Sequence, residues 1–331
     1  MKLATTTRLR LGFQVWSQYV SWPELMAIGH EIDELGFDEL WSNDHFFPQA
    51  AAGVGELGQL DGPVIEGWSI LFGWAGLTRR ARMGCLVSGA GYRNPGLLVK
   101  MATALDHATG GRAALGLGAG WFEREHRAFG FEFPPLGQRL DRLGEAAAIS
   151  RGLLDGSSVT YDGTWFTAVD ARNDPPPLQA RLPLAIGGSG EKRTLRIVAE
   201  HADIWNADQD SPESFQRRSG ILDEHCGAVG RDPASIERTA GLPAPCIRPT
   251  REAAIEALAE ILQHQAMPRE AALEMATGSP FAGPVDMVVE GLRRYRDAGL
   301  EAVMFDWPAP FDRPTLEALA GPVRAALDAE G

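Results

Sequence analysis

The sequence predicts an α/β fold in which eight parallel strands, each followed by a helix, close into a (β/α)8 TIM barrel. Short β-rich runs alternate with amphipathic helical stretches along all 331 residues, a pattern typical of parallel sheets covered by helices. The alternating units number eight, as a closed barrel requires. None of the strand-like runs has the features of a protected edge strand, which an open sheet would need.

The strands are predicted from short runs rich in apolar and β-branched residues, bounded by turn-forming residues. Each run is too short for a helix of average length. In chain order, the predicted strands are residues 9–15, 37–42, 82–87, 112–118, 182–186, 203–205, 236–247 and 300–306.

The helices are predicted from apolar residues at helical spacing and from capping signals. The first helix follows Ser21, which forms a capping box with Glu24, and it ends at Gly36, a residue type that favours the left-handed C-cap. The other predicted helices are residues 63–77, 98–105, 138–154, 191–200, 212–229, 252–265, 285–298 and 314–328.

Three segments interrupt the regular alternation. Residues 159–166 are predicted to form a small β-hairpin, because their Asp-Gly pair favours a tight turn. Residues 47–62 and 267–282 are predicted as long irregular insertions, which in a barrel build lids and substrate pockets at the carboxyl ends of the strands. No linker divides the chain, so residues 1–331 are predicted to form a single barrel domain with these inserted loops.

Composition and charge exclude several classes of protein. A hydrophobic content of 44% is too high for a disordered chain, and a net charge of −13 argues against nucleic-acid binding. Cys85, Cys226 and Cys246 lie far apart, which favours a reduced intracellular protein. No apolar signal segment or uninterrupted apolar span is evident, so we expect a cytoplasmic protein that does not enter a membrane. Neither metal-ligand spacing nor a nucleophile-elbow motif occurs in the sequence, so neither a metal site nor a serine hydrolase is predicted.

Catalytic residues of a barrel follow its strands, and Asp44-His45 follows the second. Histidine can donate or accept a proton near neutral pH, so His45 is the best catalytic candidate. Asp44 would either orient His45 or bond to a cofactor. The alternative is a structural histidine that caps a loop. His126 follows the fourth strand and would either line the site or lie on a solvated helix turn.

A glycine-rich turn follows the fifth strand. Gly187, Gly188 and Ser189 precede a helix, and such a turn can bind a cofactor phosphate with backbone N–H groups, with added charge from Lys192 or Arg193. The alternative is a tight turn with a helix cap.

Small and aromatic residues also collect at the strand ends. The small residues of 116–120 would let a flat ring lie against the barrel top. Loop aromatics would either line a pocket for a three-ring cofactor and an apolar substrate or simply pack between barrel and lid. These aromatics are Trp16, Tyr19, Trp41, Phe46, Phe47, Trp121, Phe122 and Trp307.

Taken together and in order, several segments make the sequence resemble the bacterial luciferase-like flavin superfamily, and specifically its coenzyme F420-dependent oxidoreductase branch. The similarity is strong over residues 12–206 and looser beyond. The segments that carry it are residues 35–38, 43–46, 92–100, 105–107, 110–112, 115–121, 186–190 and 202–206.

The resemblance implies a barrel that binds the cofactor ring at the carboxyl ends of its strands. It implies a non-prolyl cis peptide in the third strand, which we place at Cys85-Leu86, with Leu86-Val87 as the alternative. Asp44 and His45 match the family's pair beside the ring. The residues expected to bind the cofactor ring, its chain or its phosphate are Cys85, Leu86, Ser88, Ala119, Gly120, Trp121, Gly187, Gly188 and Ser189.

One departure bears on the substrate. Some F420-dependent sugar-phosphate dehydrogenases have a glutamate where this sequence has Trp121, and no lysine pair for a phosphate is evident. We therefore expect hydride transfer between F420 and a small, weakly polar organic molecule, with His45 handling the proton. The alternatives are an FMN-dependent monooxygenase that uses O₂ and a catalytically silent cofactor-binding protein. Members of the family commonly dimerise, so a homodimer is expected.

Overall fold

The computed structural model describes residues 8–49, 61–208 and 211–329. Most of the predicted insertion at 47–62 therefore lies outside the described residues. The strands of the described residues are β1 (Arg10–Val15), β2 (Glu39–Ser42), β3 (Arg82–Cys85), β4 (Ser88–Gly89), β5 (Ala113–Gly118), β6 (Val159–Asp162), β7 (Thr167–Ala171), β8 (Leu184–Gly187), β9 (Ile204–Ala207), β10 (Glu237–Leu242), β11 (Cys246–Ile247), β12 (Ala282–Gly283) and β13 (Ala302–Trp307).

The helices surround these strands, and most lie within a few residues of their predicted bounds. A π-helical turn, Leu319–Val323, joins the last two helices. The α-helices are α1 (Trp22–Glu34), α2 (Gly67–Ala75), α3 (Pro95–Thr109), α4 (Glu123–Phe129), α5 (Leu136–Leu154), α6 (Thr194–His201), α7 (Pro212–Val229), α8 (Arg251–His264), α9 (Arg269–Gly278), α10 (Val285–Asp297), α11 (Arg313–Ala318) and α12 (Arg324–Asp328).

The sheet is a closed parallel barrel, which confirms the predicted fold. Its eight main strands are β1, β2, β3, β5, β8, β9, β10 and β13, each hydrogen-bonded in parallel to its neighbours. Closure occurs where β3 pairs with β5, with Met83 beside Ala113. Because all the strands point the same way, their carboxyl ends meet at one mouth of the barrel.

Charged residues fill the opposite end of the barrel. Arg82 bonds Glu39 at 2.7 Å and Glu237 at 2.6 Å, and Arg10 also pairs with Glu237. Glu39 is almost fully buried, so removal of its arginine partner would leave an uncompensated charge. This cluster ties β1, β2, β3 and β10 together at the end of the barrel away from the mouth.

The third strand breaks into a bulge before the mouth. The structure has a cis peptide at Leu86-Val87, so the first predicted position, Cys85-Leu86, was wrong and the stated alternative is confirmed. The bulge lies so close to β5 that a Cβ at Gly116 would stand 2.1 Å from the carbonyl oxygen of Cys85. Gly116 therefore makes room for the bulge.

The seventh predicted strand, residues 236–247, was too long. The strand β10 ends at Leu242, because Pro243 and Pro245 have no N–H to donate to a neighbouring strand. After these prolines, β11 pairs with β12 in a separate two-stranded parallel sheet.

Two inserted segments also differ from their predictions. Residues 267–282 are not wholly irregular, because they contain α9, which buries Ala272 and Ala276 one helical turn apart. The hairpin is present, but its second strand, β7, begins only at Thr167. Its turn is longer than predicted because Glu145 accepts hydrogen bonds from the N–H groups of residues 164–166.

Asp33 joins the end of α1 to the start of β3. Its buried carboxylate accepts hydrogen bonds from the N–H groups of Arg79, Arg80 and Ala81 at 2.7 to 2.8 Å. Burial favours the neutral acid, but these three bonds outweigh it and lower the pKa of Asp33.

Across the described residues, no helix is both long and apolar enough to cross a bilayer.

We expect Gly116→Ala to lower the free energy of unfolding by about 1–3 kcal/mol or more, because the new methyl group overlaps the Cys85 carbonyl. Gly144→Ala is the matched control, since a Cβ there meets only Ile197 at an ordinary 3.8 Å. The control should leave stability unchanged or raise it by about 1 kcal/mol, as expected for alanine in a helix. Urea unfolding measures both changes, and equal stability of the two variants would contradict the tight approach of the bulge.

We expect Asp33→Asn to cost about 1.5–3 kcal/mol at pH 7, the range for hydrogen bonds to a charged group. Since folding lowers the pKa of Asp33, its contribution is complete above the unfolded pKa of about 4 and is lost as the pH falls through the folded pKa. The difference between native and variant protein should therefore shrink in acid. The free energy of unfolding, measured from pH 7 to pH 3 for both proteins, tests this prediction. Glu34→Gln, at an exposed position, is the control. A stability difference between native protein and Asp33→Asn that stays constant with pH would contradict the role of the Asp33 charge.

Candidate active site

The mouth of the barrel brings most of the predicted site residues together. His45, after β2, lies with its ring centroid 5.5 Å from that of Trp121, which follows β5. Val87, in the bulge, lies where Cβ atoms at Gly118 and Gly187 would meet it, at 2.5 Å and 3.1 Å. The loops after β2, β5 and β8 and the bulge after β3 thus share one surface.

His45 is held by Glu125, a residue of α4. The Nδ1 atom of His45 lies 2.9 Å from Glu125 Oε1, and the N–H of Phe46 donates to Glu125 Oε2 at 2.9 Å. Tyr92 O–H donates to the same carboxylate. Burial of Glu125 opposes ionisation, but the bonds from His45, Phe46 and Tyr92 outweigh it and lower the pKa of Glu125. Glu125 is therefore an ionised acceptor that fixes the orientation of the His45 ring.

Asp44 does not orient His45, so that part of the prediction was wrong. Its Oδ2 atom accepts a hydrogen bond from Arg93 Nη1 at 2.5 Å, and Arg93 Nη2 bonds Glu66 at 2.6 Å. Burial raises the pKa of Asp44, and the Arg93 guanidinium opposes that rise. Asp44 is thus tied to the loop after β4.

Two buried polar atoms beside His45 have no hydrogen-bond partner among the described residues. They are Oδ1 of Asp44 and Nδ2 of Asn43. The side-chain oxygen Oδ1 of Asn43 accepts a hydrogen bond from Ser17 Oγ at 3.0 Å, which sets the orientation of the amide. Buried polar groups are almost always paired, so an acceptor and a donor without partners at a strand end mark a place for a polar ligand.

The thiol of Cys85 lies in the same region but is unsuited to nucleophilic chemistry. The residue is fully buried. Burial raises the pKa of the Cys85 thiol well above its ordinary value, and the nearby Asp44 carboxylate raises it further. A neutral, buried thiol is inert, so Cys85 packs in the wall of the site. Ser88, also buried, accepts a hydrogen bond from Trp68 Nε1 at 2.8 Å.

The glycine turn after β8 is fixed to β9. Gly188 has φ +120°, and its carbonyl accepts a hydrogen bond from Trp205 Nε1 at 2.9 Å. Ser189 Oγ accepts a bond from the N–H of Asp208 at 3.1 Å. Because the C=O and N–H of a trans peptide point in opposite directions, the Ser189 N–H points away from Trp205. The turn then leads into α6, whose first N–H groups have no partner within the helix.

Arg193 does not add charge to this turn, which leaves Lys192 as the predicted candidate. Its guanidinium donates to the carbonyl of Gly137 at 2.8 Å and pairs with Asp141, both in α5.

His126 does not lie on a solvated helix turn, which was one of its two predicted positions. It is buried, and its Nδ1 donates to the carbonyl of Phe122 at 2.9 Å.

Trp121 and Phe122 form an aromatic wall beside His45. Their rings are stacked with centroids 5.0 Å apart, and Trp121 is 59% exposed. An exposed tryptophan next to a titratable residue is typical of a ligand-contact surface. Gly120, with φ +75°, lets the chain turn from β5 into this wall.

Sequence reasoning missed Glu125, Tyr92 and Arg93 as functional residues. Glu125 lies on α4, which was not predicted as a separate helix. The signal that could have found it is an acidic residue five positions after a glycine turn at a strand end. That signal would not have shown that Glu125 bonds His45, because the two residues are 80 positions apart in the sequence.

In the described part of the chain, no group of three or more His, Cys, Asp or Glu side chains is placed to hold a metal ion.

Comparison with known proteins places the chain among oxidoreductases. It is 28% identical over 314 residues to a phthiodiolone/phenolphthiodiolone dimycocerosates ketoreductase of Mycobacterium tuberculosis, covering 88% of this chain and 76% of the relative. It is 29% identical over 243 residues to an F420-dependent glucose-6-phosphate dehydrogenase of Microbacterium testaceum, covering 70% and 67%.

Solved structures share the fold. An F420-dependent secondary alcohol dehydrogenase in complex with an F420-acetone adduct superposes with a TM-score of 0.81 at 18% identity, over 97% of this chain and 99% of that one. The oxygenating constituent of 3,6-diketocamphane monooxygenase of Pseudomonas putida, in complex with FMN, superposes with a TM-score of 0.74 at 14% identity, over 96% and 98%.

The predicted resemblance and the predicted enzyme class are both confirmed. A family model described as luciferase-like monooxygenase matches residues 2–302, nearly the whole barrel. The chain therefore belongs to the luciferase-like monooxygenase family, and it is an oxidoreductase whose relatives include F420-dependent enzymes.

Proposed function

We propose that the protein transfers a hydride between coenzyme F420 and the carbon of a carbonyl or alcohol group in a weakly polar organic substrate. The observation that carries the proposal is the His45–Glu125 pair at the barrel mouth. Three of the related proteins support the substrate chemistry. A ketoreductase, a secondary alcohol dehydrogenase and a glucose-6-phosphate dehydrogenase are named for interconverting alcohol and carbonyl groups.

The pair determines which nitrogen of His45 meets the substrate. An ionised carboxylate can only accept hydrogen bonds, so His45 presents Nδ1–H to Glu125. In the neutral ring, Nε2 then carries the lone pair. His45 can accept the hydroxyl proton of an alcohol at Nε2 as its carbon is oxidised, or donate a proton there to a carbonyl oxygen as its carbon is reduced. Glu125 stabilises the positive ring that the first of these steps forms.

The residues at the mouth fit a flat cofactor with a phosphate-bearing chain. Bound F420 would supply the hydride from its C5 carbon. The bulge at Leu86 and Val87 would support the ring, with Ala119, Gly120 and Trp121 along its edge. The unpartnered atoms of Asn43 and Asp44 would bond its polar groups.

The other end of the cofactor would lie at the glycine turn. The Ser189 N–H, which points away from Trp205, and the N–H groups at the start of α6 would hold the phosphate, because the helix dipole favours an anion there. The Gly188 N–H is already bonded to the carbonyl of Asn206 at 3.0 Å, so Gly187 and Gly188 would contribute by letting the backbone come close to the anion. Trp121 and Phe122 would cover the reacting atoms and exclude water.

FMN-dependent monooxygenation is the second candidate function. It is favoured by the fold shared with an FMN-bound monooxygenase. The same turn and mouth would hold either cofactor, so the cofactor preference needs a direct measurement.

Titration with each cofactor separates the two functions. We expect F420 to bind at least about tenfold more tightly than FMN, read from quenching of tryptophan fluorescence because Trp121 lies at the site. With reduced F420, a ketone should be reduced without oxygen and without oxygen uptake in air. Preferred binding of FMN, with oxygen uptake that depends on an organic substrate, would establish the monooxygenase instead. Tight binding without either reaction would identify a silent binding protein.

His45→Ala should lower kcat by about 10²–10⁴-fold, the usual contribution of a positioned acid or base. Glu125→Gln keeps the size of the side chain but removes the charge, and should lower kcat by about 10–100-fold, as expected for the loss of a charged hydrogen bond. Steady-state kinetics at saturating cofactor measure both changes. Cofactor affinity should be nearly unchanged, because neither side chain belongs to the glycine turn. The control is His30→Ala, an exposed histidine on α1. Full turnover by His45→Ala would remove His45 from the mechanism.

A further inference from the structure

An apolar cavity opens at the barrel mouth beside α8 and α9. These helices lie with β11 and β12 in a segment between the barrel strand β10 and helix α10, and this segment, residues 246–283, is called the insert below. The cavity has a volume of about 190 Å³. Its walls come from the end of β1, the loop after β10, the loop after β13 and the two inserted helices. The main apolar residues that line it are Trp16, Pro243, Leu258, Leu262, Met275 and Pro280.

The cavity faces the same interior as the proposed cofactor site. Side chains alternate along a strand, so Trp16, just after β1, points the same way as Gln14. The side-chain amide of Gln14 donates to the carbonyl oxygen of Leu86, in the bulge. Asp306, near the end of β13, also lines the cavity and accepts a hydrogen bond from Trp16 Nε1 at 3.2 Å. The cavity therefore opens toward the interior of the barrel mouth rather than on the outer surface of the barrel.

The lining of the cavity selects against anionic ligands. Among the described residues that line it, none is Lys, Arg or His. Its polar side chains are Ser279 and Asp306, and the Asp306 carboxylate is already bonded to Trp16. An anionic group such as a sugar phosphate would meet a carboxylate and apolar walls there, which is costly without a pairing cation.

A buried amide network holds the walls in place. Gln18, after β1, bonds Gln265 at the end of α8 at 3.0 Å, and it also exchanges hydrogen bonds with the backbone of Gln49. Gln265 in turn donates to the carbonyl of Ala309 at 2.5 Å. Both glutamine side chains are buried. The network fixes the insert to three loops of the mouth, so the cavity is formed before a ligand arrives, which lowers the cost of binding.

We propose that this cavity binds an apolar substituent of the substrate, an aryl or branched alkyl group of about six to eight carbons attached near the reacting carbonyl or alcohol carbon. A dry apolar cavity of about 150 Å³ is enough to bind benzene, and this one is slightly larger. The inference rests on the proposed function for the reacting carbon but concerns a separate part of the substrate.

Two measurements on the F420-loaded protein test the proposal. The first compares kcat/KM for 4-phenyl-2-butanone and acetone, and we expect the aryl ketone to be favoured about 100-fold, a size of effect that apolar pockets achieve. The second measures the affinity of ethylbenzene by calorimetry, which requires no reaction. Ala244→Leu places three extra carbons at the cavity wall and should lower both quantities at least about tenfold.

The control substitution is Ala253→Leu, the same change at an exposed position of α8, which should alter neither quantity. Met275→Ala enlarges the cavity and should improve binding of a bulkier ligand, tert-butylbenzene, so the proposal stays testable if Ala244→Leu fails to fold. Ethylbenzene binding that responds to Ala244→Leu without hydride transfer to any ketone would support the cavity and overturn the proposed function. Hydride transfer to acetone with no preference for the aryl ketone, or with equal effects of Ala244→Leu and Ala253→Leu, would overturn the cavity proposal alone.

Discussion

The close approach of the bulge after β3 to strand β5 determines the shape of the barrel mouth. A single Cβ at Gly116 would stand 2.1 Å from the Cys85 carbonyl oxygen, so the bulge exists in this form only because β5 has no side chain there. The bulge places Val87 against the ends of β5 and β8 and turns the Leu86 carbonyl toward Gln14. The surface on which a flat ring can lie is thus backbone and small side chains, a consequence of strand packing rather than of any one binding residue.

Two buried carboxylates flank this surface, and each accepts a hydrogen bond from a different side chain. Glu125 holds His45, while Asp44 holds Arg93. Tyr92 lies between them; burial and the Glu125 carboxylate raise the pKa of Tyr92, so it is a hydrogen-bond donor at any physiological pH. Since both carboxylates are committed to different partners, the two residues of the Asp44-His45 sequence belong to different networks. One can serve proton transfer while the other keeps an oxygen for a ligand.

The sequence was sufficient for the fold and for the expectation that most candidate residues meet at one mouth of the barrel, because both follow from local patterns. Alternating strands and helices imply the barrel, and the barrel implies that His45 and Gly188 lie at one mouth. The partner of His45 was beyond sequence reasoning, since Glu125 reaches it only through the packing of α4. Asp-His adjacency suggested a direct pair, but the structure gives the two side chains different partners, Arg93 and Glu125. The cofactor contacts, the dimer and the cytoplasmic location stay predictions.

The division between barrel and insert bears on how the enzyme selects its substrate. The helices α8 and α9 pack on a small apolar core of their own, in which Leu258, Leu262 and Ala272 are buried, apart from the main core of the barrel. Residues of this insert can therefore change without disturbing the strands that position His45 and the bulge. The hydrogen bond between the side-chain amides of Gln18 and Gln265 joins the insert to the barrel. Under the proposed function, the chemistry would depend on the barrel strands, and the choice of substituent would depend on a cavity that α8 and α9 line together with the loops after β1, β10 and β13.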